Sequence, residues 1–183
     1  MNITKAIKDK EQIKNLLDVY PYGGKNHLLI AYALYTGLRI SDILAANVAD
    51  SMGGVWIGKE QKTGKTKTVK LNPNLQAIIN YYVASNKLIS SDYLFFSSKD
   101  KSKHIQRNRA DKIIRKAGDM IGLDTLSAHS LRKTFGYLAY KNGTDLSLLM
   151  EIFNHSSQAI TLRYIGITQD DIDEVYNSID LGI

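Results

Sequence analysis

The longest apolar stretch of this chain runs from Leu28 to Leu38, and it constrains the fold more than any other feature. It holds one Gly and three aromatic or hydroxyl-bearing residues, Tyr32, Tyr35 and Thr36. At about half the length needed to span a bilayer, it reads as a helix buried in a soluble core. The rest of the chain must wrap around it. With 183 residues, 44% of them hydrophobic, there is material for one sizeable core, so one domain over residues 1–183 is expected. Cysteine is absent, which removes disulfides and thiolate-bound zinc. Met1 to Lys10 carries several charges and no apolar run, so it does not read as a signal peptide. A soluble cytoplasmic protein without membrane partners is the expectation.

Around the apolar run the pattern is mostly helical. Ile13, Leu16 and Leu17 are spaced as a helix within Lys10 to Val19, and Pro21, Gly23 and Gly24 close it. Lys25 to Tyr35 forms the buried helix, Thr36-Gly37 interrupts it, and a third helix carries Ile40, Ile43 and Leu44. The period then changes. Val55 to Gly58 and Thr66 to Leu71 are short, rich in β-branched residues and joined by a Lys-Thr-Gly-Lys turn, a hairpin pattern with room for a further strand at Asn47 to Ala49. Trp56 is expected to pack this hairpin against a helix. Asn74 to Val83 is amphipathic, with Leu75, Ile78, Ile79 and Tyr82 on one face. After a short apolar piece at Tyr93 to Phe96 and a lysine-rich loop, helices are predicted at Arg109 to Ile121, Leu131 to Lys141, Asp145 to Phe153, Gln158 to Tyr164 and Gln169 to Ile179. The expected class is α+β, mainly α, with a small antiparallel sheet inserted near the N-terminal third.

The net charge of +6 is unevenly spread. Lys59 to Lys70 holds five Lys and one Glu, and Lys99 to Lys116 holds five Lys and three Arg against two Asp. From Asp170 onward there are five acidic residues and no basic one. Two basic clusters suggest a surface facing a polyanion, with the acidic tail away from it.

The chemistry-bearing residues fall into four groups along the chain. Arg39 stands in Thr36-Gly-Leu-Arg-Ile-Ser-Asp-Ile43, and Lys62 in Gln61-Lys-Thr-Gly-Lys65. His129-Ser-Leu-Arg132 sets an imidazole and a guanidinium three residues apart, on one side of a helix or its entry. Both side chains donate well to phosphate oxygens. Asn154-His155-Ser-Ser157 is followed by Thr161-Leu-Arg-Tyr164, with Tyr164 nine residues after His155. In this order the set resembles the tyrosine recombinase (phage integrase) family over nearly the whole chain. Each motif alone is loose; the four in sequence are specific.

The resemblance implies a role for each matching position. Arg39 and Arg132 would hold the non-bridging oxygens of a scissile phosphate, and His155 would donate to the same group. His129 would exchange the proton of the nucleophile Tyr164. Lys62 would protonate the leaving 5′ oxygen, although Lys65 sits three residues away on the same turn. Asp42 matches a supporting acidic position. The implied activity is site-specific DNA cleavage and rejoining through a 3′-phosphotyrosyl intermediate.

These residue types suit that chemistry. A phenol with a pKa of about 10 needs a proton acceptor near neutrality. A phosphodiester repels a phenolate, and fixed cations offset that repulsion. An alkoxide leaving group needs a proton donor. No cofactor or metal is expected, and the four histidines lie at no ligand spacing with a carboxylate partner. His27 and His104 read as incidental.

Double-stranded DNA is the expected partner. Lys59, Lys65 and Lys67 and the segment containing Lys101, Lys103, Arg107, Arg109 and Arg115 are expected to touch its backbone, positioning it without reading sequence. Family members share recognition with an N-terminal helical domain; few residues precede Arg39, so that domain is expected to be absent, either from a fragment or from a short stand-alone recombinase. The last helix presents Ile172, Val175 and Ile179 as an apolar face, to dock on its own core or on a neighbour in a tetramer. Two other readings share much of this pattern: a DNA-binding regulator that keeps the fold without cleaving, and a type IB topoisomerase.

Overall fold

The computed structural model describes residues 4–62, 64–180 and 182. Among these, α1 (Lys10–Asp18), α2 (Lys25–Thr36) and α3 (Ile40–Leu44) lead into α4 (Val48–Ser51) and a short 3-10 turn (Met52–Gly54). A hairpin follows, β1 (Val55–Lys59) with β2 (Thr66–Lys70), then α5 (Pro73–Ser85) and a second hairpin, β3 (Phe96–Ser97) with β4 (Asp100–His104). The chain continues with α6 (Arg107–Met120), α7 (Ala128–Lys141), α8 (Leu146–Phe153), α9 (Gln158–Ile165) and α10 (Gln169–Asn177). The mainly helical class with small antiparallel sheets in the N-terminal half is as expected.

The apolar run is the axis of the molecule. Leu28, Leu29, Ile30, Ala31 and Tyr32 have no exposed surface, with α1, α5 and α7 packed around them. A helix apolar on all sides is stable only when covered this way. The Tyr32 phenol meets the Ser51 hydroxyl at 3.0 Å, which satisfies its polar end in the core. Gly37 ends α2 in the left-handed region at φ 58°. A Cβ there would stand 2.3 Å from the Phe135 ring, so glycine answers both the turn and the close approach of α7.

β1 and β2 pair from Val55↔Lys70 to Lys59↔Thr66, and the loop is closed by Glu60 N–H to the Lys65 carbonyl (2.9 Å) and Gly64 N–H to the Glu60 carbonyl (2.8 Å). Thr63 of the Lys-Thr-Gly-Lys turn lies outside the described residues. Trp56 is 2% exposed and joins the main core, fixing the hairpin to the helices.

Two local expectations change. Asn47 to Ala49 forms no strand: Asn47 and Asp50 make a reciprocal capping box that starts α4, and only Asn47 bridges to Tyr93. The lysine-rich stretch after Phe96 is not all loop, since Asp100 to His104 is β4.

α7 joins two cores. Leu131 belongs to the main one, while Tyr137 sits with Leu149, Phe153 and Ile165 in a smaller one built by α7, α8 and α9. At Gly136 a Cβ would come within 2.6 Å of Phe153 and 2.7 Å of Ile165, so the three helices meet at a glycine. The start of α10 is tied in cis: the Asp171 carboxylate accepts from Thr168 N–H (2.8 Å) and from Lys8 Nζ (2.9 Å). Burial opposes ionisation of Asp171, but these donors outweigh it and bring its pKa down to about 2. Of the apolar face proposed for this helix, the side chains of Ile172 and Val175 lie outside the described residues, and Ile179 is exposed. No helix among the described residues is long and apolar enough to cross a membrane.

Candidate active site

Arg39 is the N-cap of α3, immediately after the Gly37 turn, so its side chain leaves the chain where α2 ends. α7 begins at Ala128, three residues earlier than its apolar period indicates, because Ser127 caps it and Ser130 completes a capping box. That extra turn makes His129 helical and places it one turn before Arg132. Arg39, Lys62, His129 and Arg132 line a single cleft of about 310 Å³, together with Ser41 and Arg107.

Arg132 is held hard. It is 5% exposed, one Nη donates to the Gly37 carbonyl, and its guanidinium carbon lies 4.7 Å above the Phe153 ring. The Tyr164 ring packs on the same Phe153 ring, centroids 5.1 Å apart, within reach of the Arg132 charge. Tyr164 does not itself line the cleft; Arg132 links it to the cleft. The His155 ring stands edge-on to Tyr164 with centroids 4.9 Å apart, and Phe153 packs on both. His155 Nδ1 pairs with the Thr161 hydroxyl at 3.1 Å. Of the six residues singled out from the motifs, Arg39, Lys62, His129 and Arg132 share the cleft, while His155 and Tyr164 pack together on Phe153 beside Arg132; the imidazole against the phenol ring is that of His155.

The charge environment sets the protonation states. Burial pushes the Tyr164 phenol above its ordinary pKa, and Arg132 and Arg39 offset part of that rise. The phenol is therefore protonated at neutral pH. His129 keeps an exposed side chain, yet partial desolvation and the cations Arg107, Arg132 and Lys133 hold its pKa below the ordinary imidazole value, with Asp111 opposing. Burial, Arg132 and Arg39 lower that of His155 as well. Both imidazoles are neutral at pH 7.

Other predicted positions fall in different places. Asp42 is buried, and its Oδ1 accepts from Gln61 N–H at 2.9 Å, so it supports the hairpin loop from below the cleft. Lys65 lines a separate groove between β2 and α8, with Lys67 and Glu60. Lys67 turns inward, donating to the Ile152 carbonyl at 2.8 Å and lying 3.7 Å from Glu60. Burial first, then Arg132 and Arg39, lower its pKa. Lys59 is exposed on the hairpin and Arg115 on α6. Lys101 donates to the Asn86 carbonyl at 2.9 Å. Lys103 and Arg109 line a second cleft of about 430 Å³ with Lys25 and His104. Arg107, expected only to touch DNA backbone, belongs to the first cleft.

Three contributors were not foreseen. Glu60 receives the Arg39 guanidinium at 2.8 Å. Lys133 lies 5.4 Å over the Tyr164 ring while donating to the Thr4 carbonyl at 2.6 Å. Thr161 orients His155. Thr161 opens the Tyr164 motif and meets His155 only six residues away, whereas Glu60 and Lys133 adjoin motifs and are marked by partners distant in sequence; for Glu60 the one available signal is its isolation as the sole acid in a run of five lysines.

Comparison with known proteins identifies the family. Residues 8–170 match the model of the phage integrase family. The chain is 35% identical over 179 residues to the probable integrase/recombinase YoeC of Bacillus subtilis, covering 96% of this chain and 97% of that protein. It is 28% identical over 177 residues to the tyrosine recombinase XerA of Pyrococcus furiosus, covering 94% of this chain but 61% of the relative. Among solved structures, XerA recombinase superposes with a TM-score of 0.78 at 19% identity, over 97% of this chain and 64% of that one. XerH bound to palindromic difH substrate in a post-cleavage complex gives 0.76 at 21% identity, over 96% and 52%. The chain thus spans nearly all of YoeC and about half to two thirds of the Xer proteins. Family model, relatives and fold converge with the gathered Arg, His, Lys and Tyr side chains: the chain belongs to the phage integrase family, the tyrosine-type site-specific recombinases that act on DNA.

Proposed function

We propose that Tyr164 attacks a phosphodiester of duplex DNA, forming a 3′-phosphotyrosyl bond as the bond from phosphorus to the 5′ oxygen breaks. The phenol proton passes to neutral His129, and Lys62 gives a proton to the departing 5′ oxygen. Arg39, Arg132 and His155 hold the non-bridging oxygens and offset the charge gained in the transition state. Reversal by the 5′ hydroxyl of another strand rejoins DNA, and the phosphotyrosine keeps the bond energy, so ATP is not consumed. What supports this reading above all is the seating of Arg132 and Tyr164 on one Phe153 ring, with Arg132 also lining the cleft shared by Arg39, Lys62 and His129. Lys62, rather than Lys65, is assigned the proton because it lines that cleft. On DNA the chain would act as a homo-oligomer, a tetramer pairing two sites; among its structural relatives, a lambda integrase dimer is bound to a COC′ core site.

The test is covalent capture on a nicked suicide duplex. Tyr164→Phe is expected to abolish the protein–DNA adduct while DNA affinity stays within about threefold. An adduct formed by the Phe variant would remove Tyr164 as nucleophile. Binding without any adduct from the unmodified chain would favour a regulator that keeps the fold.

A further inference from the structure

Glu60 is 7% exposed, and a carboxylate is buried favourably only when paired and hydrogen-bonded. Among its partners are Arg39, which lines the cleft, with Nη1 at 2.8 Å, and Lys67, which lines the groove between β2 and α8, with Nζ at 3.7 Å. Its backbone closes the loop that carries Lys62, through Glu60 N–H to Lys65 and Gly64 N–H to Glu60. The next residue, Gln61, donates its N–H to Asp42, which lies on α3 one turn after Arg39. The loop is therefore fastened to α3 at two successive residues, once through Glu60 to Arg39 and once through Gln61 to Asp42. Lys67 extends the connection to the Ile152 carbonyl, in the last turn of α8 just before His155.

We propose that Glu60 is a positioning residue for strand cleavage, coupling phosphate-bound Arg39 to the loop that delivers Lys62. The inference rests on the assignment of Lys62 as proton donor. Arg39 spends one N–H on Glu60 and keeps its other donors for phosphate. A phosphate that draws the guanidinium into register thereby sets the base of the loop, and Lys62 with it.

A purely structural role predicts something different, and the leaving group separates the two. Sulfur in place of the bridging 5′ oxygen leaves as a thiolate and needs no protonation, so it relieves a defect in proton delivery but not one in phosphate binding or folding. Suicide duplexes are selected from a randomised pool by covalent capture with the unmodified chain, then made with oxygen or sulfur at the scissile bridge. Glu60→Gln is expected to slow single-turnover cleavage of the oxygen substrate about 10- to 100-fold at saturating DNA. Its DNA affinity and its rate on the sulfur substrate should stay within about threefold of the unmodified chain. Lys62→Ala should show the same selectivity. Glu60→Asp keeps the charge but shortens the reach, and it should repeat the pattern more mildly, which also serves if the Gln variant folds poorly. An equal deficit on both substrates, or none on either, overturns the proposal. If the unmodified chain forms no adduct with either substrate, the recombinase reading falls and this inference with it; if that chain cleaves normally while sulfur fails to relieve the Glu60 variants, this inference falls alone.

Discussion

In the proposed reaction His129 accepts the phenol proton only when neutral, and its surroundings favour the neutral ring. Partial desolvation and the cations Arg107, Arg132 and Lys133 lower its pKa below the ordinary value of about 6.5. A reaction that needs the unprotonated ring is fully active above that lowered pKa and loses activity as pH falls through it. The acid limb of the single-turnover rate should lie below pH ~6.5. Arg107→Gln removes one cation facing the ring, so the limb should move to higher pH while rates converge in the alkaline plateau. An unmoved limb would mean that another group controls it. The motif residues were legible before any coordinates because their order along the chain is itself a signal. Glu60, Thr161 and Lys133 were not, since each acts through a partner that only folding supplies. Arg107 was read as a DNA-backbone contact for the same reason: its place beside His129 depends on how α6 meets α7.

Elements with a long, regular period were readable, as α2 and α5 show. Short ones set by capping or pairing were not: α4 owes its start to the Asn47–Asp50 box, and β4, reading Asp-Lys-Ser-Lys-His, has no apolar alternation to reveal it. The early start of α7 is a capping effect too, and it matters most, because it carries His129. At Gly136 on the same helix, alanine would ordinarily favour the helix by about 1 kcal/mol. Here the added methyl meets Phe153 and Ile165, and overpacking costs about 1–3 kcal/mol. Gly136→Ala is therefore expected to lower the thermal midpoint by a few °C and to slow cleavage, since the displaced helices flank His155 and carry Tyr164. A raised midpoint would show that the three helices have room to part. The anchor of α10 makes a separate prediction. The folded pKa of Asp171 is depressed to about 2 from an ordinary 3.8, so its contribution is present above pH ~4 and is lost as pH falls toward 2. Because Lys8 is partly exposed, that contribution is on the order of 1 kcal/mol. Asp171→Asn should lower stability at pH 7 by about this amount and flatten its decline between pH 4 and 2, as read by denaturant titration.

At the scale of the molecule, charge is arranged around the N-terminus of α6. Arg107 faces the cleft that holds Arg39 and His129, while Gln106 and Arg109 face the second cleft with Lys25, Lys103 and His104. Beyond it, Arg109, Lys112 and Lys116 continue along the helix beside Tyr20. Lys25 is committed to the Phe96 carbonyl at 2.8 Å and stands over that ring, so it shapes the second cleft more than it offers a contact. Lys103 is 77% exposed at its side chain, and its bridge to Asp100, at 3.6 Å, is easily exchanged for a phosphate. Arg109 shares the same rim. A duplex phosphate seated there would lie one helix start away from the scissile phosphate, extending the contact without reading sequence. Each phosphate contact releases counterions, and its loss reduces the slope of log affinity against log salt by about 0.9. Replacing Lys103 and Arg109 together by Gln should therefore flatten that slope by about 1.8 and weaken cognate and unrelated duplexes alike. The rate of adduct formation at saturating DNA should not change, because neither side chain lines the first cleft. A slope that stays put, or a loss confined to the cognate site, would place the DNA backbone on another face of α6.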